Sequence, residues 1–119
     1  MTSKYINLEY LYELSGGDES FIKDMINSFI QQTPANLQEL SSLCHEQKWN
    51  ELGRMAHKTK SSLSFIGVQQ MADEVGIIEQ ICLQSDEEVD KGYIEQLLVS
   101  IEQVFEFTKI ELKEKLDTM

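Results

Sequence analysis

Residues 50–67 read NELGRMAHKTKSSLSFIG, and their apolar positions recur with the period of an α-helix. At about 100° per residue, one narrow stripe collects Leu52, Met55, Ala56, Thr59, Leu63 and Ile66. Such a stripe has to pack against other elements, as in one helix of a bundle. We predict a helix that Asn50 caps, that runs to about Ile66, and that ends at Gly67 in the left-handed conformation.

His57 points away from this stripe. It lies roughly 140° around the helix from the apolar face, which places it at the rim or in solvent. Its neighbours on the same side are Gly53, Lys60, Ser61 and Ser64, of which three are small. The pattern predicts an imidazole that another macromolecule can approach closely.

The charge around His57 differs from that of the whole chain, whose formal net charge is -11. Between Leu52 and Ala72 there is no Asp or Glu, although the chain has 21 of them, and the stretch holds three basic residues, Arg54, Lys58 and Lys60. A cationic patch on an acidic body is therefore expected. The overall charge argues against nucleic acid as a partner, because most of the surface would repel a polyanion.

The remaining segments also have helical periodicity. Asn7 to Leu14 predicts a short amphipathic segment, and Asp18 is a candidate N-cap for an apolar helix over about residues 19–46. Because the apolar face keeps its phase across Pro34, we favour one kinked helix over two separate helices. Further helices are predicted over about 70–83 and 90–116, joined by a polar junction at Ser85–Glu88.

Four long helices with short connections bury their apolar stripes by packing side by side. We therefore predict an all-α fold, an antiparallel up-and-down four-helix bundle with a short N-terminal capping helix, as a single domain over residues 1–119. Cys44 and Cys82 lack CxxC spacing and are expected to be core residues.

Targeting signals are absent from the sequence. No apolar run approaches the roughly 20 residues of a membrane span, and residues 1–5 lack the pattern of a signal peptide. A cytoplasmic protein with no membrane partner is expected. The Met1 start and the polar end are compatible with a complete small protein, and equally with one module of a longer chain.

The residues around His57 limit its chemistry. A metal site is disfavoured because positions 53, 54, 60 and 61 offer no second ligand. General-base catalysis requires an orienting acid, and none is close along the helix. Ser61 and Ser64 lie on an open helix face without an oxyanion hole. Nucleophilic attack by the imidazole on an anionic group remains, although an exposed histidine beside a lysine is also an ordinary surface feature.

The motif Ala56-His57-Lys58-Thr59-Lys60-Ser61-Ser62, followed by Ile66-Gly67, resembles the signature of the histidine-containing phosphotransfer (HPt) domain family. Leu14 to Asp18 before an apolar helix, Thr33-Pro34 midway and Trp49 before the histidine helix are similar to the family in type and order. The resemblance covers about residues 5–85, and the last helix matches only as an apolar helix.

The resemblance implies that His57 is the phosphoacceptor, that Lys60 stabilises the phosphoryl group, and that small Ser61 admits the partner, although Gly is most frequent there. The phosphoryl group would pass between aspartates of response-regulator receiver domains, one of them on a hybrid sensor histidine kinase. The receiver would supply Mg²⁺. The chain itself would be a monomeric phosphocarrier without a cofactor. Because it lacks an ATP-site motif, it should not phosphorylate itself from ATP.

Docking is expected on the histidine face, at Gly53, Arg54, Lys58, Ser61, Ser64 and Phe65, with Ile22, Ile26 and Ile30 from the kinked helix. Two interpretations of Phe65 stay open, a docking contact or an aromatic covered by the first segment. His45 is expected to be a surface residue without a role in transfer. The alternative function is a helical interaction module that binds a receiver or kinase without accepting phosphate.

Overall fold

The computed structural model describes residues 5–84 and 88–119. These residues form five helices and no strands: α1 (Glu9–Ser15), α2 (Glu19–His45), α3 (Trp49–Ile66), α4 (Gln69–Gln84) and α5 (Lys91–Asp117). The predicted all-α bundle is confirmed. Most of the polar junction predicted at Ser85–Glu88 lies outside the described residues. No helix in the described ranges is long and apolar enough to cross a membrane.

The four long helices form a closed ring in which helices that follow each other in sequence pack side by side. α3 lies between α2 and α4, and α5 lies between α4 and α2. No Cα atoms of the diagonal pairs, α2 with α4 or α3 with α5, approach within 8 Å in the described residues. This is the up-and-down order that short connections favour. α1 packs on α2 and α3, and the Asn7 N–H donates to the Gly67 carbonyl (2.9 Å).

Local signals account for most helix ends. The Asp18 carboxylate accepts hydrogen bonds from the backbone N–H groups of Ser20 and Phe21, so its predicted capping role is confirmed. Gly67 ends α3 with φ +88°, also as predicted. The predicted N-cap at Asn50 is wrong. The Leu52 N–H already bonds to the Lys48 carbonyl (2.8 Å), so the helix begins earlier and Asn50 lies within its first turn.

Pro34 lies inside α2, which runs through it as one helix. The favoured interpretation of a single helix is therefore confirmed. Every helix contributes to one apolar core, and its largest fully buried side chains include Leu11, Ile22, Ile26, Leu40, Leu52, Leu63, Met71, Ile78, Ile94, Ile101 and Leu112. Each such side chain stabilises the fold by about 1.5–3 kcal/mol relative to its exposed state.

Cys44 and Cys82 are buried and free, as predicted for core residues. Burial raises the pKa of both thiols, and for Cys82, where nearby Cys44 adds to the effect, the pKa reaches about 11. A disulfide needs Cα atoms within about 7 Å. Because α2 and α4 stay farther apart than that, these two cysteines cannot be bridged without a backbone movement.

Two buried hydroxyl groups, those of Thr59 and Thr108, have no hydrogen-bond partner among the described residues. Thr108 is fully buried, so its hydroxyl group is desolvated without compensation. We expect Thr108→Val, which keeps the side-chain shape, to raise the free energy of unfolding by about 1 kcal/mol in urea titrations. Thr118→Val is the control, since the exposed Thr118 hydroxyl donates to the Lys115 carbonyl (2.9 Å). A loss of stability at position 108 would contradict this account.

Candidate functional site

The candidate site lies on the hairpin of α3 and α4, which make the most extensive helix–helix contact in the described structure. The hairpin turns at Gly67 and Val68. Residues at equal distances before and after Val68 face each other across the hairpin. His57 contacts Glu79 in this way. Gly53 faces Leu83 and Gly76 faces Lys60, and a Cβ atom added to either glycine would contact the facing side chain.

His57 is exposed on the outer face of α3, as predicted, with 66% of its side chain accessible. Its Nδ1 atom contacts the Oε2 atom of Glu79 on α4. A carboxylate can only accept a hydrogen bond, so Nδ1 carries the hydrogen and the lone pair of the neutral ring lies on Nε2. The nitrogen with an available lone pair is thus the one that does not contact Glu79.

Glu79 also contacts the lysine one turn along from His57. The Lys60 Nζ atom lies 3.4 Å from the Glu79 Oε1 atom. Only 15% of the Glu79 side chain is exposed, so a largely desolvated carboxylate has a partner on each oxygen. The three side chains form one small network, with the imidazole and the ammonium on its solvent side.

The sequence patterns did not predict Glu79. No orienting acid is close to His57 along α3, as the sequence indicated, but that reasoning considered only the helix that carries His57. Glu79 comes from the next helix, 22 residues on. The register about Val68 is the signal that could have located it, since a tight αα-hairpin places residues equidistant from the turn side by side.

The other residues predicted on the histidine face divide into two groups. Arg54, Lys58, Ser61 and Ser64 are exposed. The Ser61 hydroxyl donates to the His57 carbonyl (3.2 Å). Gly53 is a correction: it is buried, and an added Cβ would lie 2.5 Å from the Leu83 Cγ atom. α4 packs closely there, so Gly53 belongs to the helix interface and not to the exposed face.

The prediction that Ile22 and Ile26 of α2 contact a docking partner is also wrong. Ile22 and Ile26 are fully buried and cannot touch a partner, and Ile30 is half-buried. Ile22 and Ile26 belong to the buried face of α2. The edge that borders α3 instead forms a groove of about 330 Å³, lined by Met25, Ser28, Phe29, Gln32, Thr33, Asn36, Ser61, Ser62, Phe65 and Ile66.

Phe65 is partly covered by the first segment and partly accessible for docking, so each of the two interpretations left open by the sequence holds in part. Tyr10 of α1 packs edge-on against it, with ring centroids 5.7 Å apart. The rest of the ring lines the groove between α2 and α3. Tyr10, which is more than half exposed, extends this apolar surface onto α1 and was not predicted.

His45 is exposed at the last residue of α2, beside a shallow groove between α2 and α5, as expected for a surface histidine. No group of three or more His, Cys, Asp or Glu side chains in the described ranges could hold a metal ion.

The exposed imidazole of His57, the Glu79 carboxylate at its Nδ1 atom and the Lys60 ammonium one turn along thus lie together on one face of a helical bundle. The model of the Hpt domain matches residues 24–116, and the chain belongs to the Hpt domain family. Members of this family are phosphocarriers rather than catalysts. The match includes almost all of α5, which on sequence motifs alone resembled the family only as an apolar helix.

The chain is also similar to the phosphorelay intermediate protein rdeA of Dictyostelium discoideum. The two are 24% identical over 103 residues, which cover 87% of this chain and 41% of that relative. The chain thus spans about two fifths of the length of the curated relative that it matches. No solved structure matches it.

Proposed function

We propose that the chain accepts a phosphoryl group on the Nε2 atom of His57 from an aspartyl phosphate of one receiver domain and donates it to the aspartate of another. The observation that carries this proposal is the contact between His57 Nδ1 and Glu79, because it leaves the lone pair of an exposed ring on Nε2. Lys60, one turn along, is placed to neutralise oxygens of the incoming group.

The transfer balances as a single displacement. The Nε2 lone pair attacks the phosphorus atom of the receiver's aspartyl phosphate and forms a P–N bond. The P–O bond to the aspartate breaks, and its electrons remain on the leaving carboxylate. The ring becomes a phosphorylated imidazolium whose Nδ1–H still donates to the Glu79 carboxylate. The negative charge of that carboxylate offsets the new positive charge of the ring. Onward transfer is the reverse displacement on a second receiver.

The remaining components come from the partners. The receiver, including one on a hybrid sensor histidine kinase, supplies the Mg²⁺ and the acidic pocket. The chain supplies the nucleophile, without a cofactor or catalytic machinery of its own. We propose that it works as a monomer in the cytoplasm.

Docking is proposed on the exposed face around His57 and on the groove beside it. Arg54, Lys58 and Lys60 would meet the receiver's carboxylates, which raises encounter rates more than affinity. The groove between α2 and α3, with Phe65 and Tyr10 at one side, offers the apolar part of the surface. These residues replace Ile22 and Ile26 in the proposed interface.

Glu79 is expected to orient the ring during transfer. Glu79→Ala removes the acceptor from Nδ1, so both tautomers become accessible and the transfer rate should fall by roughly tenfold or more. The rate would be measured by rapid quench with a phosphorylated receiver. Glu74→Ala, which removes another carboxylate of α4, is the matched control and should transfer like the parent. Equal rates for Glu79→Ala and the parent would contradict the assigned role.

The proposed function is tested by mixing the chain with a receiver that carries a labelled phosphoryl group. The expected result is label on the chain that is lost in acid and retained in base, as for a phosphoramidate, and that a second receiver then removes. An interaction module would bind the receiver without acquiring label. Binding without label would therefore reject the carrier role and favour the alternative.

A further inference from the structure

Gly76 is a glycine in the interior of α4 with no evident need for its backbone freedom. It does not have a positive φ, in contrast to the glycines at 16, 17 and 67. It is partly exposed and lies far from both ends of the helix. Because glycine is among the least favourable residues in a helix interior, its presence at this position calls for another explanation.

The space beside Gly76 is occupied by Lys60. A Cβ atom at position 76 would lie 3.3 Å from Lys60 Cδ, 3.8 Å from Cε and 3.9 Å from Nζ, and these are the three nearest atoms. The lysine side chain therefore crosses α4 over the bare backbone of Gly76. It ends one turn further on, where its ammonium meets Glu79.

We propose that Gly76 is a positioning residue for phosphotransfer, because its missing side chain lets the stem of Lys60 lie against α4 and holds the ammonium beside His57. The inference rests on the proposed function of His57. A lysine has a flexible four-carbon stem whose freedom weakens a point-charge contact. Contact along the stem and an ion pair at its tip restrict that freedom before the phosphoryl group arrives.

A series of side chains at position 76 tests the proposal. Gly76→Ala places a methyl group 3.3 Å from the Lys60 Cδ atom, so the stem has to yield by only a few tenths of an ångström and the transfer rate should change little. Gly76→Leu fills the space that the Lys60 stem occupies and displaces the ammonium from its position near His57. The transfer rate should therefore fall by about tenfold or more. The melting temperature should stay equal or rise in both variants, because alanine and leucine favour helix.

The double variant separates positioning from a general structural effect. If Gly76 acts through Lys60, Gly76→Leu should cause no further loss of rate in a Lys60→Ala background. Independent, multiplicative losses would overturn the proposal. An undiminished rate for Gly76→Leu in the otherwise unchanged chain would also overturn it.

Gly92→Leu on α5 is the matched control, since the nearest atom to an added Cβ there is an Asp90 oxygen at 3.5 Å. It should transfer at the parent rate, and an equal loss in this control would count against a specific role for Gly76. Failure of the proposed function has a different signature. In that case the parent chain itself acquires no label, whereas failure of this inference leaves the parent labelled and Gly76→Leu indistinguishable from it.

Discussion

His57→Gln is expected to abolish transfer of label from a phosphorylated receiver while leaving the fold unchanged. Glutamine keeps a polar side chain at this exposed position but offers no nucleophilic nitrogen. Because 66% of the His57 side chain is accessible and only its contact with Glu79 is altered, the substitution should change the free energy of unfolding by no more than about 1 kcal/mol. Labelling followed by gel separation, together with circular dichroism, checks both parts.

The second histidine supplies the control for this prediction. His45→Gln removes an exposed histidine from the end of α2, in a groove that borders α5 and not α4. It should accept label at the rate of the parent. Label that persists in His57→Gln and disappears in His45→Gln would reverse the assignment of the two residues.

Gly67→Ala is expected to cause the largest loss of stability of any single methyl addition at a glycine of the chain. At φ +88° an alanine is strained. Its Cβ would also lie 1.7 Å from the Asn7 carbonyl oxygen, a backbone atom that no rotamer change can move. The N-terminal segment has to shift and lose the hydrogen bond from Asn7 N–H to Gly67 C=O. We expect a loss of about 3 kcal/mol in urea denaturation.

Gly17 separates the two causes of this loss. Its φ of +84° is close to that of Gly67, but no atom lies within 4 Å of an added Cβ. Gly17→Ala should therefore cost about 1 kcal/mol from backbone strain alone. If both variants lose the same stability, the close approach of Asn7 does not contribute.

The fold was predictable because its determinants are local. Apolar periodicity placed each long helix, the carboxylate of Asp18 marked the start of α2, and Gly67 marked the end of α3. The Asn50 cap failed because a capping residue type also occurs inside the first turn, and the sequence does not show which carbonyl accepts the first bond.

The site was predictable only where it depends on one helix. The exposed face of α3 followed from angular spacing, so His57 and Lys60 were placed correctly. Periodicity locates the apolar face of α2 but not the edge left open by its neighbours, and Ile22 and Ile26 were therefore assigned to the surface. Gly53 and Glu79 depend on the register between α3 and α4, which spacing within one helix cannot supply.

The carboxylate of Glu79 has a consequence for the loaded state. At rest, one anion lies between an imidazole and an ammonium. After phosphorylation, a second and more strongly charged anion competes for the same ammonium at close range. In the proposed loaded state the Glu79 carboxylate would therefore act in two directions, attracting the positively charged ring and repelling the phosphoryl oxygens. The Lys60 ammonium would be shared between the two anions, so the three side chains would titrate and respond to substitution as one coupled unit.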